Sequence, residues 1–115
     1  MNLTNIVLEY FKAFERKELD TLSSMFHEDI CLKDWNIDVT GKDNVINANA
    51  VIFNAIEKIT VNVKKIYLSE RTVIAELEIL ADTEPPLPVV DIITYHPEGL
   101  DSFPKIESIT AYRGS

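Results

Sequence analysis

The chain has 115 residues, enough for one domain that buries roughly two-thirds of the surface its unfolded form exposes. Hydrophobic residues make up 46% and charged residues 26%, the balance of a folded globular chain and not of a disordered one. The formal net charge is −8, and Lys and Arg are scattered singly or in pairs. Without a basic stripe, phosphate neutralisation on nucleic acid and attraction to an anionic membrane are both disfavoured.

Cys31 is the single cysteine, so no intrachain disulfide forms, and a reduced, cytoplasmic setting is expected. The stretch MNLTNIVLEYF lacks the basic segment and apolar run of a secretion signal. No apolar run approaches the length needed to span a bilayer.

Leu3, Ile6, Val7, Tyr10, Phe11 and Phe14 recur at three- and four-residue steps. This predicts a helix over residues 3–16, capped by the side chain of Asn2 or Thr4, with Lys12, Glu15, Arg16 and Lys17 toward water. A second helix is expected over residues 18–26, with Leu19, Leu22, Met25 and Phe26 inward. The charged break ERKELD makes the two a bent pair. Ile30, Leu32 and Asp34 then share one face of a short strand, residues 30–34, because side chains alternate along a strand. Two apolar residues followed by an acid put a carboxylate at the edge of the apolar interior.

Residues 35–40 are expected to be irregular, and Gly41 to mark a turn that needs positive φ. Asp43 is the expected cap of a third helix over residues 44–57. Val45, Ile46, Ala48, Val51, Ile52, Ala55 and Ile56 are available for burial there. Asn47, Asn49 and Asn54 are poor helix formers, so this helix must gain its stability from packing.

From Ile59 the period becomes two. Ile59, Val61 and Val63 share a face. At Lys64-Lys65 the phase slips to Ile66 and Leu68, which predicts a β-bulge. Residues 69–71 form a turn, and Val73, Ala75, Leu77, Ile79 and Ala81 alternate along the next strand, with Glu76 and Glu78 on its solvated or interface side. TEPPLP, residues 83–88, breaks it, since proline lacks the amide a ladder needs. Strands over residues 89–96 and 105–112 follow, joined by a loop. Helices on one face of an antiparallel sheet make an α+β domain spanning residues 1–115.

The segments YFKAFERKELDTLSSMFHEDICLKDW, GKDNV, VVDIITY and IESITAY resemble the nuclear transport factor 2-like (SnoaL-like) superfamily, which includes the ketosteroid isomerases. The resemblance implies a cystatin-like cone: a curved antiparallel sheet wrapped around three N-terminal helices, its open end a pocket for a small apolar or cyclic ligand. The fold hosts isomerases, dehydratases, cyclases and non-catalytic binding proteins. In the isomerases a tyrosine of the first helix, an aspartate base after the second, and an aspartic acid of a late strand form the site. These fall on Tyr10, Asp34 and Asp91 here. Two departures stand out. Trp35 occupies the place where those isomerases often have proline, and the turn before the last strand is longer.

Tyr10 lies on the apolar stripe of its helix, so its buried hydroxyl needs a partner. Asp91 shares a strand face with Val89, Ile93 and Tyr95, where desolvation would raise its pKa; Val90 and Ile92 are the alternative inward set. By the isomerase pattern, Asp34 near the opening moves a proton, while Tyr10 and a neutral Asp91 donate to the developing enolate oxygen. Simpler roles stand beside these. Tyr10 can be a core tyrosine, and Asp34 can cap the irregular segment.

His27, Glu28 and Asp29 have metal-ligand chemistry, but consecutive residues at a helix end point apart, and neither metal nor cofactor is expected. Cys31 has no evident activating partner. His96 is read as a loop residue, with a His–Asp dehydratase pairing as an alternative. Three functions follow: a ketosteroid isomerase-like proton transfer, non-catalytic ligand binding, and a dehydratase- or cyclase-type lyase. The long loop and the side chains of Trp35 and Phe103 are candidates to occlude the pocket. Ile74, Leu80 and either Val90 and Ile92 or their neighbours form an apolar outer sheet face, expected to make a homodimer.

Overall fold

A computed structural model describes residues 2–114. Helix α1 (Leu3–Glu15) begins where the Asn2 side chain accepts the Asn5 amide. Its apolar stripe buries Leu3, Val7, Tyr10, Phe11 and Ala13. Lys17, with φ of 58°, then reverses the chain into α2 (Leu19–Met25). Lys17 does not point to water as expected. Its ammonium donates to the carbonyls of Phe53, Ile56 and Glu57 at the end of α3 (Lys42–Ala55). A cation placed there satisfies carbonyls the helix leaves open and complements its dipole.

β1 (Phe26–Lys33) starts four residues earlier than the alternation around Ile30 suggests, and Asp34 is the first residue past its end. The segment expected to be irregular contains β2 (Asp38–Thr40), which pairs antiparallel with Cys31 to Lys33. Gly41 has the expected positive φ, 96°, and itself occupies the cap position of α3. Asp43 is therefore not the cap. It sits in the first turn, where a negative charge still favours the helix dipole. Along α3 the buried positions are Val45, Asn49 and Phe53, spaced by four, while Val51 is 68% exposed.

β3 (Ile59–Ser69), β4 (Thr72–Ala81), β5 (Leu87–Tyr95) and β6 (Ile106–Arg113) form an antiparallel meander. Among the described residues the sheet has six strands in the order β2-β1-β6-β5-β4-β3. One pairing departs from a wholly antiparallel sheet: β1 runs parallel to β6. These strands are joined through α3 and the meander, so no hairpin fixes their relative direction. The phase slip at Lys64-Lys65 is a register shift between Val63 and Lys65. Pro88, placed by its sequence in a breaker, lies inside β5. It is tolerated because the register with β6 ends at Val89 and Arg113, and Pro88 contributes only a carbonyl, to the Gly114 amide.

The inner face of the sheet carries Val73, Ala75, Leu77, Val89, Asp91, Ile93 and Tyr95, all buried, and this settles which side of β5 faces inward. α1 packs on β3 and β4, and α3 on β1 and β2. Helices and curved sheet together make the α+β cone. Among the described residues no helix is long and apolar enough to cross a membrane.

Candidate active site

Between the helices and the inner sheet face lies a cavity of about 510 Å³. Its walls are apolar: Phe11 and Phe14 from α1, Ile52 from α3, and Leu77, Val89 and Ile109 from the sheet. Tyr10, Asp34 and Asp91 all line it, although they come from α1, the end of β1 and the middle of β5.

Asp91 is 8% exposed at the centre of the sheet. Its register neighbours are Ala75 on β4 and Ala111 on β6, so two small side chains flank the carboxyl group. Burial is the larger cause that pushes its pKa from 3.8 up to about 7; the negative charge of Asp34 adds to it. A carboxyl group so placed is half protonated near neutrality and can donate a hydrogen bond. Tyr10 is 6% exposed, packed against Phe11 and Phe26. Burial first, then the charges of Asp91 and Tyr95, raise its pKa well above the usual phenol value, so its O–H stays a donor.

Asp34 closes a tight turn. Its Oδ1 accepts from the amides of Asn36 and Ile37, both at 2.7 Å, and its own amide donates to the Ile37 carbonyl at 2.8 Å. The capping role is thus present, and it fixes the carboxylate at the cavity rim. The neighbouring Trp35 is 37% exposed and lines the same rim, with the Arg113 guanidinium 5.6 Å from its ring centre. Trp35 borders the opening and leaves the cavity unfilled.

Asn49 also lines the cavity, a placement that its low helix propensity does not announce. It is 3% exposed, and its Nδ2 has no hydrogen-bond partner among the described residues. Leaving a buried amide unpaired costs about 1–3 kcal/mol. The signal was available in the spacing: Asn49 is the polar member of the stripe that runs from Val45 to Phe53. Tyr95 has an unpartnered hydroxyl too, but it lies outside the cavity lining.

The remaining candidates lie elsewhere. The loop between β5 and β6 leaves the sheet at Tyr95, whereas the cavity opens toward Leu87 and Val89, so the loop does not occlude it. Phe103 is 77% exposed. The rim is built instead by Glu84 and Pro85 of the β4–β5 turn and by residues 35–37. His27 and His96 stack on each other at 4.2 Å, away from the cavity lining, so His96 has no pairing with Asp34 or Asp91 in this pocket. Cys31 is exposed, and Glu28 pairs with Lys42. Among the described residues no three His, Cys, Asp or Glu side chains cluster as a metal site.

The model of the SnoaL-like domain family matches residues 7–100. The chain belongs to the SnoaL-like family. No curated protein matches its sequence. Among solved structures, nuclear transport factor 2 from Cryptosporidium parvum superposes on this SnoaL-like domain with a TM-score of 0.78 at 15% identity, over 96% of this chain and 90% of that one. A candidate polyketide cyclase from Sinorhizobium meliloti gives 0.79 at 15% identity, covering 93% of each chain. A candidate ketosteroid isomerase from Kribbella flavida gives 0.76 at 11% identity, over 96% of this chain and 76% of that one. At such identities the likeness is one of fold.

Proposed function

We propose that this SnoaL-like domain is a proton-transfer isomerase of the ketosteroid isomerase type, acting on a small cyclic ketone. The observation that carries the reading is convergence: Tyr10, Asp34 and Asp91 line one apolar cavity from three separate elements. A ketone seated with its oxygen toward Tyr10 and Asp91 meets two O–H donors, one of them a carboxyl group whose pKa is pushed up to about 7. Asp34 then removes a proton from the carbon next to the carbonyl. The negative charge that develops on oxygen is held by the two donors, and the same carboxyl group returns the proton to the far carbon of the dienolate. Enclosure by apolar walls strengthens each of these interactions.

Mixing the protein with cyclic β,γ-unsaturated ketones tests this. The conjugated α,β-enone should appear by its ultraviolet absorbance, and the Asp34→Asn variant should not produce it. A second reading, ligand binding without turnover, is favoured by the engagement of Asp34 Oδ1 in its turn. Ligand bound with no conjugated product would select that reading.

A homodimer through the outer sheet face is part of the proposal. Ile74, Leu80, Val90 and Ile92 alternate with the inward residues and stay half-buried in the single chain. A dimeric mass at micromolar concentration is expected, and a monomeric mass would remove this element.

A further inference from the structure

We propose that Asn49 is a specificity-determining residue that hydrogen-bonds a second oxygen of the ligand, one distinct from the carbonyl held by Tyr10 and Asp91. The inference rests on the cavity reading above but not on turnover. Asn49 is nine-tenths buried, lines the cavity and leaves its Nδ2 without a partner among the described residues. It occupies the middle of the stripe Val45, Asn49 and Phe53, where a leucine would bury apolar surface with no unpaired group. An amide retained at such a position is explained by a partner that the chain itself does not supply.

Placement indicates what that partner is. Tyr10 enters from α1, which packs on β3 and β4, and Asn49 enters from α3, which packs on β1 and β2. The two polar groups therefore reach the cavity from different helices, and apolar side chains that include Phe11, Phe14 and Ile52 line it with them. A ligand that satisfies both carries two oxygens separated by a hydrocarbon body: a cyclic ketone with a hydroxyl or second carbonyl remote from the first. The Asn49 side-chain amide, turned about its last torsion so that its N–H faces the cavity, donates to that second oxygen. A monofunctional ketone of the same skeleton leaves the amide unpaired and binds more weakly.

The test compares two saturated cyclic ketones of one carbon skeleton, with and without a remote hydroxyl group. Binding is followed by the fluorescence of Trp35, the single tryptophan, which lines the cavity rim. The wild-type protein should bind the hydroxyketone about tenfold more tightly than the plain ketone, and Asn49→Leu should abolish the difference. The unliganded leucine variant should melt at or above the wild-type temperature, which a residue kept for structure would not allow. If leucine is too large to fold, Asn49→Ala gives the same comparison of affinities. Equal affinities in the wild type, or a preference that survives in either variant, would overturn the inference. So would failure to bind both ketones, which would also remove the carbonyl site. Discrimination without isomerisation of an unsaturated ketone would leave the role of Asn49 standing and defeat only the catalytic reading.

Discussion

The carboxylate of Asp34 lies close enough to Asp91 to raise its pKa, adding to the larger effect of burial, and the result is a carboxyl group that titrates at about 7. In the unfolded chain Asp91 loses its proton near 3.8, and in the native chain near 7. Between those values the native state holds a proton that the unfolded state has released, so stability falls as pH rises through this window and levels off above it. The slope approaches about 1.4 kcal/mol per pH unit for one group. In Asp91→Asn this slope should disappear, and at pH 8 the variant should be at least as stable as the wild type. Urea unfolding between pH 4.5 and 8 measures both. A wild-type stability that rises over that range after correction by the variant would contradict the burial of Asp91.

Asp34→Asn separates the two uses of that side chain. The amide oxygen can still accept from the Asn36 and Ile37 amides, so the turn at the cavity rim should persist. The base is gone. Turnover should fall by roughly 10²–10⁴ while the unfolding midpoint stays close to that of the wild type. Parallel measurements of kcat and thermal unfolding check the pair of outcomes.

Tyr10→Phe keeps the ring that packs against Phe11 and Phe26 and removes one donor to the proposed oxyanion. The loss should be about 3–4 kcal/mol of transition-state stabilisation, read as a drop of roughly 10²–10³ in kcat with a small change in KM. A core tyrosine with no role in the site would instead leave kcat unchanged.

Lys17→Met should destabilise the fold by about 1–3 kcal/mol, because the ammonium bonded to the Phe53, Ile56 and Glu57 carbonyls has no substitute in methionine. A shift of the urea midpoint at unchanged m-value is the measurement. The cavity wall formed by α3 should loosen with it, so ligand affinity should fall even though Lys17 lies outside the lining.

Periodicity made the helices and the meander legible, and even the bulge at Lys64-Lys65, because these features repeat a local rule along the chain. Asp91 was legible as an acid on a strand with two apolar faces, and only the burial of Val89, Ile93 and Tyr95 decides that it points inward. Direction of β1 against β6 was not legible, since no local turn couples them. Lys17 departs from its expected solvated position because its partners are three carbonyls at the end of another helix, some forty residues away. The burial of Asn49 was not legible, since helix propensity describes a backbone cost and says nothing about which face a side chain occupies. The loop after Tyr95 looked like a lid from its length, but only the sheet register shows that it leaves from the end opposite the cavity mouth.

Solvent deuterium exchange is the most direct measurement of whether Asp34 moves a proton beside a carbonyl held by Tyr10 and Asp91. A cyclic ketone with exchangeable protons next to its carbonyl is incubated with the protein in heavy water near pH 6 and followed by NMR. The wild type should accelerate deuterium uptake at those carbons far above the buffer rate, and Asp34→Asn should return it to near that rate. Uptake at the buffer rate by a wild-type protein that demonstrably binds the ketone, or undiminished uptake in the Asp34→Asn variant, would contradict the proposed chemistry.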